Sequence, residues 1–182
     1  FPTWTTSGKI GGGFEFDGID DYVETSLRYD DDELKEWGAI TYEAWYKTTD
    51  DTAVIVGQNP HISFDNPAHG ALMIYQNKLT FSTWNNTVYV YTSESGNSND
   101  GKWHHAVGIL WNDSENWKQK LYLDGVLVGT NTTGLTDQDS IPYVRIGDNP
   151  KPTDRKFFNG SIDNVRIYNR ALTPEEVYTR YA

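Results

Sequence analysis

The sequence predicts an all-β sandwich, and three observations lead to that fold class. Aromatic residues are abundant, with seven Trp, twelve Tyr and seven Phe against one Met, and strands favour aromatic and β-branched side chains. Short runs of alternating polarity recur between Gly, Asn and Asp turn signals, at the spacing expected of a sandwich. The 182 residues contain no internal repeat or low-complexity linker, so one domain, 1–182, is expected.

The alternating runs are predicted to be the strands. In chain order they are GGFEFDG, ITYEAWYKT, AVIVGQ, ALMIYQN, KLTFSTW, TVYVYTS, HHAVGILW, KLYLDG, VLVGT, YVRIGD and SIDNVRIYN. In KLTFSTW, Leu79 and Phe81 share one face of the strand. In TVYVYTS, Tyr89 and Tyr91 share a face opposite to the valines. This alternation predicts an apolar inner face and an aromatic, polar outer face.

Turn and helix signals separate or follow these runs. Asp124-Gly125 and Asn77-Lys78 are predicted as the turns of two hairpins. The segment 30–37 (DDDELKEW) is typical of a charged loop or a single helical turn. In ALTPEEVYTR, Thr173 is a suitable N-cap, proline follows it, and Glu176 comes three residues after the cap. This capping box predicts a short C-terminal helix.

The charge and the cysteine content exclude several classes of function. The formal net charge is −11 and the sequence pI is about 4.6, so binding to nucleic acid or to an anionic membrane surface is disfavoured. The chain has no Cys, which excludes disulfides, thiol catalysis and thiolate metal sites. No apolar run approaches the roughly 20 residues of a membrane helix, and no signal peptide is recognised, so no membrane insertion is expected.

Several motifs occur in one order along nearly the whole chain: GGGFEFDGIDDYV, ITYEAWYK, GKWHHAVGIL, KLYLDGVLV, VRIGDN and FNGSIDNVRIYNRALTPEEV. In that order they resemble the laminin-G-like domain of the concanavalin A-like lectin/glucanase superfamily. The resemblance implies a two-sheet antiparallel jelly roll with a concave and a convex face. Family members usually have a strand ahead of GGxFxFDG, whereas only FPTWTTSGKI precedes it here. That strand is expected to be lost, cut away with a larger precursor, or supplied by a neighbouring molecule or domain.

The acidic stretch FEFDGIDDYVE (14–24) is open to three interpretations. As an enzyme site, Glu15 and Asp17 would lie on the same side of a strand, because side chains repeat every two residues. Related glucanases carry a Glu-x-Asp-x-x-Glu pattern, but here Asp20 stands at its last position. Gly18 would also break the strand where the acid/base should lie. We therefore predict that the chain is not an enzyme.

Calcium is the preferred interpretation of the same stretch. Calcium takes about 6–8 oxygen ligands and mixes carboxylates with carbonyl oxygens, so Asp17, Asp20, Asp21 and the carbonyl of Gly18 are predicted ligands of Ca²⁺. The resemblance implies that the penultimate strand runs near the early one, which adds Asp163 of GSIDNVRIY. The third interpretation is that Asp17 and Asp163 only accept hydrogen bonds from turn amides.

A glycan site is predicted from exposed aromatic residues, since sugars bind to aromatic platforms with polar groups nearby. The predicted platform and its rim consist of Trp84, Tyr89, Tyr91, Trp111 and Trp117. Trp45, in contrast, is expected in the core. Four Asn-x-Ser/Thr sequons are possible glycosylation sites and equally ordinary loop sequences. They begin at Asn85, Asn112, Asn131 and Asn159.

The histidines are predicted to be structural. His104 and His105 are neighbours on a strand, so they point to opposite faces and cannot chelate one ion. His61 and His69 flank Asp65 in NPHISFDNPAHG, but this spacing matches no recognised zinc site.

These features together predict a non-catalytic, calcium-stabilised binding module that is extracellular or at a cell surface and binds a glycan or a surface protein in adhesion. The alternative is a structural subunit of a surface layer or fibre that assembles itself through β-edge contacts. A glycoside hydrolase is the least favoured of the three.

Overall fold

The computed structural model describes residues 1–27, 31–58, 70–82, 89–91, 98–133, 143–148 and 157–182. In chain order the elements are β1 (Thr3–Thr5), β2 (Gly13–Asp17), β3 (Val23–Glu24), α1 (Asp31–Trp37), β4 (Ala39–Thr48), β5 (Thr52–Gln58), β6 (Gly70–Tyr75), β7 (Lys78–Ser82), β8 (Tyr89–Tyr91), β9 (His104–Asn112), β10 (Trp117–Leu123), β11 (Val126–Thr133), β12 (Val144–Ile146), β13 (Asn159–Tyr168) and α2 (Pro174–Tyr181).

The strands form two antiparallel sheets, as predicted for an all-β sandwich. The seven-stranded sheet has the order β1-β2-β13-β4-β9-β10-β11, and the six-stranded sheet has the order β3-β12-β5-β6-β7-β8. Strands distant in sequence become neighbours, since β13 pairs with both β2 and β4. The first and the last parts of the chain therefore meet at one edge of the sandwich.

The main core lies between the two sheets. On β4, Ile40, Tyr42, Ala44 and Tyr46 alternate toward it and are fully buried. Leu79 and Phe81 of β7 join them from the other sheet, as their alternation predicted. Burial of each large apolar side chain contributes about 1.5–3 kcal/mol, so these inner faces fix the pairing register of both sheets.

A smaller core lies on the outer face of the seven-stranded sheet, beneath α2. Its buried members are Val107, Ile109, Tyr122, Leu172 and Val177. The predicted capping box is confirmed: Thr173 Oγ1 accepts a hydrogen bond from the Glu176 amide at 3.2 Å, and Glu176 Oε2 accepts one from the Thr173 amide at 2.9 Å. The cap fixes the start of α2, and Val177 holds the helix against the sheet.

Three local features differ from the sequence predictions. FPTWTTSGKI contains a short strand, β1, which pairs with β2; three residues are too few for a recognisable pattern. The β6–β7 turn is at Gln76-Asn77, where both φ angles are positive (50° and 62°), and not at Asn77-Lys78. Lys78 instead pairs with Tyr75 as the first residue of β7. The segment 31–37 is a seven-residue helix.

The Asp124-Gly125 turn has positive φ angles at both positions (50° and 77°), as predicted.

Candidate functional site

The acidic stretch forms a turn that brings three carboxylates together. Asp17 ends β2, and the chain reverses at Gly18, whose φ is 76°. Oxygen atoms of Asp17, Asp20 and Asp21 lie within 4.8 Å of one another. Asp17 Oδ1 accepts hydrogen bonds from the amides of Ile19 (2.8 Å) and Asp20 (3.3 Å), which lowers the pKa of Asp17. This turn is thus held by its own carboxylates.

The donors in this cluster fit a hard cation. All are oxygens, and calcium prefers oxygen ligands. Asp21 Oδ2 accepts a hydrogen bond from the Asp17 amide at 3.1 Å. The side chain of Asp20 is exposed. Asp17, Asp20 and Asp21 are the residues that would hold the ion.

Asp163 does not join this cluster. The β2–β13 register pairs Asn159 with Asp17 and Ile162 with Phe14, so Asp163 lies next to Gly13. Four residues along β2 separate it from Asp17, which is roughly 13 Å at the usual rise of a strand. Asp163 Oδ2 instead accepts a hydrogen bond from the Ile10 amide at 2.8 Å. Asp17 and Asp163 therefore both accept hydrogen bonds from turn amides, at two separate places, before and after β2.

The predicted rim of the glycan platform is not assembled. Trp117 is only 8% exposed and belongs to the core between the sheets. Trp111 lies on the opposite face of the same sheet, against the small core beneath α2, with Lys120 Nζ 4.7 Å from its ring centre. The register explains the difference, because Trp111 pairs with Lys118 whereas Trp117 pairs with Asn112, and the two positions have opposite parity.

The predicted platform strand is β8, the edge strand of the six-stranded sheet. Val90 pairs with Phe81, which is in the core, whereas Tyr89 pairs with Ser82 and Tyr91 with Thr80. The register therefore assigns the two tyrosine positions to the face of β8 opposite to the core, where their partners Ser82 and Thr80 are buried. Trp84 lies outside the described residues, as do His61, Asp65, His69 and Asn85. The other three sequon asparagines, Asn112, Asn131 and Asn159, are exposed.

Sequence reasoning missed a buried polar network on the outer face of the seven-stranded sheet. Glu43 is 1% exposed. Its Oε2 accepts a hydrogen bond from the Tyr168 hydroxyl at 2.8 Å, and its Oε1 lies 3.3 Å from His105 Nε2. Arg166 and Arg180 add positive charge at 3.5 and 3.7 Å. Burial raises the pKa of Glu43, but the hydrogen bonds from His105 and Tyr168 outweigh burial and lower that pKa.

The sequence signal for this network was Glu43, a charged residue at an outward position of β4, whose other residues are mostly buried on both faces. Trp45 lies beside it and stacks on Tyr181 of α2, with the ring centres 5.8 Å apart. Trp45 is buried, as predicted, but beneath α2. The network joins β4, β9 and β13 to the C-terminal helix.

His104 has a separate structural role. Its Nδ1 lies 2.8 Å from Asp124 Oδ2 and its Nε2 lies 3.1 Å from Asp100 Oδ1. The hydrogen bond with Asp124, assisted by Asp100, raises the pKa of His104 although its burial acts in the opposite direction. His104 and His105 thus contact different carboxylates on opposite faces of β9, as expected for a structural pair.

The comparisons with known proteins agree with this architecture. Solved structures that resemble the chain include a heptameric SAP-like pentraxin from Limulus polyphemus (TM-score 0.65, 15% identity, 92% of this chain and 80% of that one). Another is a candidate carbohydrate-binding protein from Bacteroides ovatus (TM-score 0.60, 15% identity, 90% of this chain and 45% of that one). A third is domains LG4-5 of the mouse laminin α1 chain (TM-score 0.55, 19% identity, 88% of this chain and 44% of that one). The chain spans less than half of the last two. A search of curated proteins found no match.

Within the described residues, no helix has the length and apolar character needed to cross a membrane. A family model described as the concanavalin A-like lectin/glucanases superfamily matches residues 17–178. That match covers most of the sandwich, and the laminin LG domains share its fold. The chain therefore belongs to the laminin-G-like family of the concanavalin A-like lectin/glucanase superfamily.

Proposed function

We propose that this chain is a non-catalytic extracellular module that binds glycans on the outer face of its six-stranded sheet, along β8. The observation that carries the proposal is the β7–β8 register, in which Tyr89 and Tyr91 alternate with a residue that pairs with core Phe81. Two aromatic positions on one outer face, about 7 Å apart along a strand, suit the stacking of successive sugar rings.

The roles of the carboxylates support a non-catalytic module. A glycosidase needs one carboxyl group with a raised pKa as its general acid. Asp17 has a lowered pKa because it accepts turn amides, and Glu43 has a lowered pKa within its network. Glu15 and Asp17 lie exposed on β2, next to the edge strand β1. Burial raises the pKa of Asp50, but its Oδ2 accepts a hydrogen bond from the Asn159 amide at 2.8 Å. The electrostatics of Asp17 and Glu43 and the exposed position of Glu15 do not favour hydrolysis.

The comparisons support the proposal at the level of the family. The superfamily contains lectins, and one similar structure is a candidate carbohydrate-binding protein. Laminin domains, which share the fold, support an extracellular location. The fold alone does not select a ligand, because function depends on the site carried by the scaffold.

A glycan array tests this proposal directly. We expect the wild type to bind at least one glycan, and the Tyr89→Ala/Tyr91→Ala variant to lose about tenfold or more in affinity. Tyr178→Ala is the matched control, because Tyr178 is 61% exposed on α2, away from β8. Absence of binding to any glycan would contradict the proposal, as would equal losses in the control and the double variant.

We also propose that calcium binds at Asp17, Asp20 and Asp21 and stabilises the folded chain, because an ion that binds only the folded state adds to its stability. Thermal unfolding with excess calcium and with a chelator tests this site. Asp20→Asn removes one charge while its backbone amide still binds Asp17, so it should abolish a calcium-dependent rise in the midpoint. Asp163→Asn should retain the rise. No calcium effect on the wild type would leave the three carboxylates with their turn role only.

A further inference from the structure

An apolar cleft of about 250 Å³ opens at the edge of the sandwich where β1, β2 and β13 lie over β3 and β12. Apolar side chains from both sheets line it, including Trp4, Phe14, Phe16, Val23, Ile146 and Ile162. Trp4 and Phe14 are paired across β1 and β2. They continue the inner face of the seven-stranded sheet beyond the point where the six-stranded sheet ends at β3.

The aromatic residues at the mouth of the cleft are exposed. Trp4 is 60% exposed and Phe14 is 41% exposed, and their rings meet edge to face with centres 5.4 Å apart. The Trp4 ring rests on Gly12, where a Cβ atom would collide with it. A rigid exposed aromatic pair beside an apolar cleft is typical of an interaction surface.

The strands at this edge leave backbone groups available for pairing. Within the described residues, β1 pairs only with β2, and β3 pairs only with β12. Both edge strands are short, three and two residues. An extended peptide can add to such an edge through main-chain hydrogen bonds while its alternate side chains enter neighbouring pockets.

Acidic side chains surround this edge of the sandwich. Asp163 lines the cleft. Glu15 and Asp17 are exposed on the other face of β2, and the exposed Asp20 lies in the turn that follows β2. This charge favours a basic partner. It disfavours a second copy of this chain, whose net charge is also −11.

The size and lining of the cleft narrow the class of ligand further. Pockets for drug-sized molecules occupy about 300–1,000 Å³, so this cleft is suited to one side chain. We propose that this edge binds an extended peptide rich in basic and apolar residues, which pairs with β1 and places one apolar side chain against Trp4 and Phe14. This surface is distinct from the proposed glycan site and does not depend on it.

A pull-down of synthetic peptides tests the proposal. The probe is a pool of end-blocked peptides about ten residues long that alternate Val, Ile, Phe or Tyr with Lys, Arg or Thr. A second pool has Glu in place of Lys and Arg. Each pool is incubated with immobilised chain in chelator, so that no divalent cation competes for the carboxylates, and retained peptides are identified by mass spectrometry. The variants are Trp4→Ala, Phe14→Ala and the control Tyr178→Ala.

We expect the wild type and Tyr178→Ala to enrich the basic pool, and Trp4→Ala and Phe14→Ala to lower the affinity of the retained peptides about tenfold. Backbone N-methylation of the alternate residues whose N–H groups face β1 should abolish binding of a retained peptide, whereas N-methylation of the other alternate set should not. No enrichment, equal enrichment of the acidic pool, or unchanged binding after N-methylation of each set in turn would overturn the proposal. If the wild type self-associates in sedimentation velocity and Trp4→Ala removes this self-association, the proposal is overturned in favour of a second copy of the chain. If laurate binds saturably and blocks binding of the peptides, the proposal is overturned in favour of an apolar small ligand.

Discussion

Replacement of Glu43 by Gln should be among the most destabilising single changes on the outer face of the seven-stranded sheet. The Glu43 carboxylate is nearly inaccessible to water and accepts a hydrogen bond from Tyr168 at 2.8 Å. A hydrogen bond to a charged group contributes about 1.5–3 kcal/mol. Gln also turns an amide group toward His105 Nε2, which lies 3.3 Å from Oε1, and leaves the two nearby arginines without their carboxylate.

The arginines limit the size of the effect. The side chains of Arg166 and Arg180 are 41% and 26% exposed, so water can solvate them once the charge has gone. We therefore expect a loss of about 2–3 kcal/mol, below the 3–5 kcal/mol found when a fully buried pair is broken. This loss corresponds to a midpoint about 4–12 °C lower for a chain of this size.

The assay is chemical denaturation of the wild type, Glu43→Gln and Glu115→Gln across pH. Glu115 is exposed, so its replacement should change the free energy of unfolding by less than about 0.5 kcal/mol. The pKa of Glu43 is lowered in the folded state. Its charge therefore stabilises the fold above the ordinary glutamate pKa of 4.5, and this contribution is lost as the pH falls through the folded-state pKa. The difference between the wild type and Glu43→Gln should narrow on acidification. Equal stability of Glu43→Gln and Glu115→Gln at neutral pH would refute the reasoning.

The pKa of His104 is raised by Asp124 and Asp100, so its stabilising effect is complete below its ordinary pKa and disappears as the pH rises through the folded-state value. The difference in unfolding free energy between the wild type and His104→Gln should therefore shrink as the pH rises above the ordinary histidine pKa of 6.5, and a constant difference would contradict this role. Gly108→Ala would place a Cβ against the Phe81 ring and should cost about 1–3 kcal/mol, which denaturant titration measures against Thr132→Ala at an exposed strand position. Thr173→Ala removes the N-cap of α2 and should cost about 1 kcal/mol, with Thr132→Ala at an exposed strand position as the control in the same titration.

Much of the fold could be predicted because its signals are local. Alternation in ITYEAWYKT and KLTFSTW gave the strands and their inner faces, and Thr173 with Glu176 gave the helix start. These patterns report which side of an element is buried, and burial dominates the free energy of folding. Strands of two or three residues, such as β1 and β3, carry too little pattern and depend on the neighbours that pair with them.

The site was harder to predict because it depends on register between distant strands. Asp17 and Asp163 both looked like ligands of one ion, yet the pairing of Ile162 with Phe14 separates them along β2. Trp111 and Trp117 likewise looked like two sides of one rim, although the β9–β10 register puts them on opposite faces. A shift of one residue in the β9–β10 register would have put Trp111 and Trp117 on the same face, and composition contains no information on register.

The C-terminal helix covers part of the outer face of the seven-stranded sheet. On the seven-stranded sheet, α2 covers the apolar cluster of Val107 and Ile109, and the Glu43 network holds the adjoining polar groups. The chemistry of that face is therefore used to attach the C-terminal helix. The two ligand sites that we propose lie elsewhere, at β8 and at the edge strand β1. Strands β8 and β1 lie at opposite ends of the strand orders. The Tyr89→Ala/Tyr91→Ala variant and the Trp4→Ala variant should therefore affect different ligands, and loss of binding to one ligand should leave binding to the other unchanged.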